Sequence, residues 1–518
     1  MYSRATSQVI ATPELLRLIC EHCNLNENHN NALVSKTWSN EALSVLWREL
    51  DSLEPLLSLL APLKIVDNCV YEFRRHIRPS DWIVFQKYSW RVCAINSDSW
   101  APDFVIPVFV DIASSRPSTD LLPNLRRLTY DNSRLSFQFL PLFISSSLTY
   151  LDLSLMNGER DLRQTICRET LSYLPEKARN LEHLVSQTDG STVGVQTADT
   201  IELNLLLAAL PSLKKVVIST AFFTTSHVCA LARVQSLQSL TILQTGDEDQ
   251  SYLDTTELQF PNAFPSLTHF SSETHGFKDV ASFLDACQPC ALRSISVSSP
   301  EVEDHEAFSC LFDIASSVCL ELKEIFLESV NRKIITTPQS SLLKESFRML
   351  SGCLDLSSLT LHNAPPLLLN IETISDLLKG LPSLHTLSLS EYSGTEPILP
   401  LTCLSKLAPL CPRMVKLGLY MDTSSVPDAR SPHQNDSQCF KRLNHLNVGR
   451  SPLKSSALRV TSFLSSILPV GCNLFYTRDY SQSAGQCDTE FNTWTSVADF
   501  LPMMIRMRKA ERLLGFIV

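Results

Sequence analysis

The residues with the most suggestive chemical spacing are two cysteine pairs, Cys20-x-x-Cys23 and Cys287-x-x-Cys290. Each has the separation at which one half of a zinc site is held. A structural zinc takes four ligands, and these pairs lie far apart in the chain with no second pair beside either. His22 and His29 sit near the first pair, but Cys20 and Cys23 fall on a helical segment whose face is needed for packing. No metal site is expected. The chain also lacks a G-x-S-x-G elbow, an H-E-x-x-H pair, a P-loop and a G-x-G-x-x-G fingerprint, and its 13 glycines leave little room for phosphate-cradling loops. No cysteine stands in a local setting that would make it a transthiolating nucleophile. The expectation is a chain with no catalytic residue, no metal and no cofactor, whose work is recognition.

Composition narrows the partners. With 44% hydrophobic and 19% charged residues the chain reads as folded, and its net charge of −10 comes without a basic stripe over most of its length. Nucleic acid is therefore not an expected partner. The most apolar stretches, such as Phe104 to Ala113, are too short to span a bilayer, which takes about 20 residues. Met1 to Ala11 has no secretory pattern, so the 16 cysteines are expected to be reduced thiols in the cytosol or nucleus.

The elements that would position a recognition surface begin at Thr12-Pro13-Glu14, a helix start with a capping residue, a first-turn proline and a carboxylate at the positive end of the dipole. Leu15, Leu16, Leu18 and Ile19 follow as an apolar face. After the polar stretch Asn24 to Asn31, a second segment carries Leu33, Val34 and Trp38, and a third carries Ala42, Leu43, Leu46, Trp47 and Leu50. Three short helices within residues 12–50 cannot bury this apolar surface among themselves, so they must lean on a partner or on the next domain. A plain N-terminal cap of a solenoid would satisfy the same pattern.

Pro13-Glu14-Leu15-Leu16, then Leu33-Val34-Ser35-Lys36-Thr37-Trp38, then Leu46-Trp47 resemble the F-box motif in order and spacing. The continuation from Arg48 to Leu53, and the later stretch from Trp82 to Val92, look like the fungal F-box proteins. The resemblance implies docking on the Skp-type adaptor of a cullin–RING ubiquitin ligase. It places Pro13, Leu15, Leu16, Ile19, Val34 and Trp38 on the adaptor face or directly beneath it. Thr12 and Cys20 depart from the family pattern, standing where leucine and a bulky apolar residue are usual.

From about residue 121 an L-x-x-L-x-L pattern recurs. Clear copies are Leu148/Leu151/Leu153, Leu356/Leu359/Leu361 and Leu384/Leu387/Leu389; Leu181/Leu184/Ser186 and Leu267/Phe270/Ser272 are degenerate ones. Twelve copies start between residues 125 and 443, at intervals of 23 to 34 residues. The mean, about 29, is at the top of the leucine-rich-repeat range and leaves room for a helix in each unit. Stacked strand–helix units bury one another's apolar sides. The expected fold is an α/β solenoid: the three-helix F-box motif (12–50), a helical and irregular linker and cap (51–120), an irregular leucine-rich-repeat horseshoe (121–475), and C-terminal cap helices (476–518). Parallel strands would line its concave face and helices its convex face. The asparagine that usually follows the last leucine is absent, which predicts irregular repeats.

Residues 51–120 show no repeat and include an apolar, strand-like run, Phe104 to Val110. Residues 245–257 and 422–439 read as polar insertions. Near the end, Trp494, Val497, Phe500, Leu501 and Met504 form a helical stripe, with Pro502 expected to start a new helix or kink this one. On the concave face, Tyr150, Phe326 and Tyr420 are the aromatic candidates for anchoring an unidentified target protein. These readings make the chain the substrate-recognition subunit of an SCF-type ligase, or alternatively a ligase-independent repeat scaffold.

Overall fold

The described residues begin with three short helices: α1 (Pro13–Glu21), α2 (Leu25–Asn31) and α3 (Lys36–Leu46). They come from a computed structural model that describes residues 12–66, 70–96, 103–131, 137–155, 173–188, 207, 209–220, 223–244, 263–300, 303–329, 340–362, 370–389, 399–426, 439–477 and 487–515. The chain divides into two units, residues 1–237 with 243–249 and residues 238–242 with 250–518. Trp100, the insertion at 245–257 and most of that at 422–439 lie outside the described residues.

In the first unit, α1 starts at Thr12 with Pro13 in its first turn, although the Thr12 side chain makes no capping bond. α2 has a full capping box, with Asn24 Oδ1 accepting from Glu27 N–H at 2.9 Å and Glu27 Oε2 accepting from Asn24 N–H at 2.8 Å. Ser35 caps α3 by accepting from Trp38 N–H. The chain then enters a parallel sheet almost at once. β1 (Glu49–Leu50) pairs with β4 (Ala94–Ile95), which pairs with β6 (Arg127–Asp131), then β7 (Tyr150–Leu155), β8 (His183–Thr188) and β9 (Lys215–Ser219). Between β1 and β4 lie the short helix α4 (Glu54–Leu57), β2 (Leu63–Ile65), β3 (Val70–Phe73) and α5 (Pro79–Ser89). β2 and β3 are antiparallel, and β5 (Asp103–Phe104) joins β3 in parallel.

The intervening segment thus contributes a strand to the ladder, where the sequence shows no repeat; two residues are too few to carry a periodic signal. A second correction concerns the apolar run Phe104 to Val110. Only Phe104 belongs to a strand, and the rest opens α6 (Ile106–Ser115) with Pro107 in its first turn. Val108, Phe109 and Ile112 are its buried face, and Phe109 stacks on Phe139 at 5.0 Å.

The second unit repeats the scheme more regularly. β10 (Ser239–Leu243), β11 (His269–Ser272), β12 (Ser294–Ser299), β13 (Glu324–Ser329), β14 (Ser358–His362), β15 (Thr386–Leu389), β16 (Lys416–Leu419), β17 (His445–Asn447) and β18 (Asn473–Phe475) pair in chain order, all parallel. After α7 (Thr225–Ala232) of the first unit, helices α8 (Phe277–Cys287), α9 (His305–Val318), α10 (Ser340–Met349), α11 (Ile371–Gly380), α12 (Cys403–Leu407) and α13 (Ala457–Ile467) alternate with these strands. Each unit is an α/β solenoid of leucine-rich repeats.

Burial explains the pattern. Every residue of the twelve L-x-x-L-x-L triplets is at most 2% exposed, including Ser186 and Ser272 of the degenerate copies. Apart from buried Val185 and Gly418, the intervening strand positions are half-buried or exposed, as in β12, where Ser294, Ser296 and Ser298 alternate with buried Ile295 and Val297. The buried faces meet helices: Phe270 of β11 stacks on Phe283 of α8 at 5.0 Å, and Phe277 meets Phe308 of α9 at 4.8 Å. Where asparagines are missing after the strands, small hydroxyls take the inward positions. Ser219 donates to the Ser186 carbonyl at 3.5 Å, and Ser299 and Ser329 are buried register partners.

The C-terminal α14 (Cys487–Gly515) packs on α13 and runs on through Pro502. Trp494, Val497, Leu501 and Ile505 face inward, with Trp494 Nε1 donating to the Ser451 carbonyl at 2.8 Å. Phe500 faces out, so the inward stripe takes Ile505 in its place.

Candidate functional site

Polar contacts tie the N-terminal helices to one another and to α5, while several of their apolar side chains are exposed. Buried Asn28 donates through Nδ2 to the carbonyl of Cys20 at 2.8 Å and to that of Cys23 at 3.3 Å, tying α2 to the end of α1. Arg48 pairs with Glu21 at 2.9 Å. Arg91, lying over the Trp90 ring, donates to the Asn40 carbonyl at 2.8 Å, to Asn40 Oδ1 at 2.6 Å and to the Ser44 hydroxyl, which locks α3 to the end of α5. Trp47 packs on Tyr88 of α5, ring centroids 4.7 Å apart.

Of the residues expected at an adaptor face, Pro13, Leu15, Ile19 and Val34 are exposed, Trp38 is half-buried, and Leu16 is fully buried as interior support. Leu18, Leu25 and Leu33 join them; Val34 is 65% and Leu33 84% exposed. Leu25 is one the sequence reading passed over, because it stands alone in a polar stretch. Cys20 is buried, and its thiol is pushed up by burial and then by Cys23 and Glu41.

The three aromatic candidates fall in different units. Tyr150 opens β7 in the first unit, while Phe326 and Tyr420 belong to the second. Phe326 lies mid-strand in β13, half-buried, its ring edge-on to His362 at 5.3 Å. Tyr420 follows the last residue of β16, past Gly418, where a side chain would meet Ser388 Oγ at 2.7 Å.

Tyr150 lines an open cleft of about 280 Å³, walled by the residues at the start of β1, β4, β6, β7 and β8. Arg127, Tyr150 and His183 are register neighbours there, and the Arg127 guanidinium lies 5.6 Å from the Tyr150 ring centroid. Arg126 and Arg127 carry no carboxylate partner among the described residues, whereas Lys214 is paired with Glu182 at 2.7 Å. Burial, followed by Lys215, lowers the His183 pKa, and burial, followed by Asp152, raises that of Tyr150. The arginines escaped the sequence reading although the signal is present: they are the two variable positions of Leu125-Arg126-Arg127-Leu128.

Among the described residues no three His, Cys, Asp or Glu side chains converge as a metal site. No helix among them is long and apolar enough to cross a membrane. No protein-family model matches the chain, and no curated protein matches it. Similar solved structures include TLR13 in its complex with ssRNA13, at 15% identity and TM-score 0.35, covering 73% of this chain and 59% of that one. The Toll–Spatzle complex of Drosophila gives 13% identity and TM-score 0.32 over 81% of this chain and 58% of that one. An internalin (inlF) of Listeria monocytogenes gives 16% identity and TM-score 0.30 over 58% and 82%. The chain therefore spans about three-fifths of the TLR13 and Toll chains it matches. The fold assignment rests on the strand order and the buried triplets described above.

Proposed function

We propose that the chain is the non-catalytic substrate-recognition subunit of an SCF-type ubiquitin ligase, acting in the cytosol or nucleus. Its N-terminal helices dock on a Skp-type adaptor, through it on a cullin–RING ligase, and its repeats bind a target protein. The observation that carries this reading is the set of exposed apolar side chains on the short N-terminal module: Leu15, Leu18, Ile19, Leu25, Leu33 and Val34 are all exposed. Six exposed large apolar side chains within 20 residues of chain suit an interaction surface. The F-box resemblance supplies the occupant. Holding a target beside the ligase raises its effective concentration and needs no reacting group on this chain.

A second reading, a ligase-independent repeat scaffold, draws on one feature: β1 follows α3 directly and belongs to the parallel ladder, as a solenoid cap would. It leaves the exposed leucines without a role.

Co-expression with the adaptor separates the two. Wild type is expected to co-purify with adaptor, and Val34→Glu, at a site where the folded chain is exposed, to lose at least ten-fold of it. Leu16 is unsuitable because a charge in its buried position would unfold the module. Folded wild type that retains no adaptor would remove the receptor reading and leave the scaffold.

A further inference from the structure

We propose that the outward face of α14 lies on an anionic lipid surface, holding the second unit against a membrane without crossing it. The helix has two faces. Trp494, Val497, Leu501 and Ile505 recur every three or four residues and are buried. On the opposite side Phe500, Met503 and Met507 recur at the same spacing, and each is more than half exposed. Arg506 and Lys509 form the edge beside them and are exposed too. Neither cation forms an ion pair among the described side chains. The surface continues onto α13. Arg508 Nη2 donates to Ser462 Oγ at 2.6 Å, and Leu458 and Arg459, one turn before Ser462 on the same side of α13, are exposed.

Charge and shape select the occupant. The chain is −10 overall, yet residues 494–510 hold Arg506, Arg508 and Lys509 against Asp499 alone. A local cationic edge beside protruding apolar side chains matches a surface that is negative outside and apolar beneath, which describes an anionic bilayer. Unbranched methionines adapt to an irregular, fluid counterpart better than to a fixed pocket. A protein clamp that closes round an amphipathic helix does not fit, because the other face of α14 is already packed on α13. A second copy fits poorly as well. Twofold pairing of this face would bring the cations of both copies together with only Asp499 to offset them.

Three apolar side chains are too few for irreversible insertion, so the contact is peripheral. The cations supply the attraction, which salt screens, and Phe500, Met503 and Met507 supply the short-range hold. The proposal needs neither adaptor nor target and stands apart from the receptor reading.

The test is flotation of the full chain with extruded vesicles of phosphatidylcholine, alone or with about 30% phosphatidylserine. The chain is expected to bind the anionic vesicles at least ten-fold more tightly than the neutral ones. Raising salt from about 0.1 M to about 0.5 M is expected to release it. Arg506→Gln/Lys509→Gln should lose the preference for anionic vesicles, and Phe500→Ser/Met507→Ser should lose at least five-fold of the binding to them. Both variants change exposed positions, and both should keep the wild-type melting temperature and adaptor capture. Equal binding to the two kinds of vesicle, no flotation of the folded chain, or full flotation of either variant overturns the proposal. A wild-type dimer in light scattering that Phe500→Ser/Met507→Ser dissociates would assign the face to a second copy instead. Adaptor capture without flotation removes the lipid contact and keeps the receptor reading; flotation without adaptor capture does the reverse.

Discussion

Cys319, Cys403, Cys411 and Cys472 lie in the core, and burial pushes each thiol up to about 12, whereas Cys290 and Cys310 are exposed. A thiol held there is neutral at physiological pH and a poor nucleophile. Iodoacetamide should label Cys290 and Cys310 in the native protein and the four buried cysteines only after denaturation, read by peptide mass spectrometry. Rapid native labelling of Cys403 would refute its placement. His227 of α7 is also buried, its Nδ1 2.8 Å from the Thr224 hydroxyl, and burial brings its pKa down to about 4. The unfolded chain binds this proton near 6.5 and the folded chain only near 4. Its effect on stability is absent above 6.5 and grows as pH falls toward 4, where it costs about 3 kcal/mol. Urea unfolding of His227→Asn should show a shallower loss of stability between pH 7 and pH 4 than wild type. An identical slope would contradict the burial. At this scale the sequence was partly legible: Arg126-Arg127 could be read from their repeat positions, but the exposure of Leu25 could not, since a lone leucine carries no periodicity.

At the scale of elements, alternation within each strand assigns opposite roles to neighbouring residues. Leu359 of β14 is fully buried and Thr360, its neighbour, points to the other face. Leu359→Ala should cost about 2–5 kcal/mol, and Thr360→Ala about 0.5 or less, in chemical denaturation. Equal costs would mean that the register is wrong by one residue. The twelve triplets were legible because leucines at fixed offsets survive even in degenerate copies. The room for a helix that the long repeat spacing leaves is filled by α8, by α10 with the turn after it, and by α11. α6 was misread as strand because a short Val, Ile and Phe run has no decisive period, and Pro107 was the overlooked start signal. β1 and β4, at two residues each, are defined by pairing alone.

At the scale of the whole molecule, the division into two units was not legible, because the repeats run at similar spacing on both sides of residue 237. Tyr150 belongs to the first unit, and Phe326 and Tyr420 to the second. The N-terminal module was legible in outline. Only α1 follows from its start signal and apolar spacing: α2 (Leu25–Asn31) falls in the stretch read as a polar interruption, Leu33 and Val34 lie in the turn after it, and Trp38 shares α3 with Ala42, Leu43 and Leu46. The resemblance proposes an occupant for the apolar residues left exposed. The most direct test of that proposal is hydrogen–deuterium exchange on the intact chain with and without purified Skp-type adaptor. The account predicts slowed exchange across residues 13–38, with β6 to β9 unchanged. Protection confined to the strands, or no change anywhere while the chain remains folded, would contradict it.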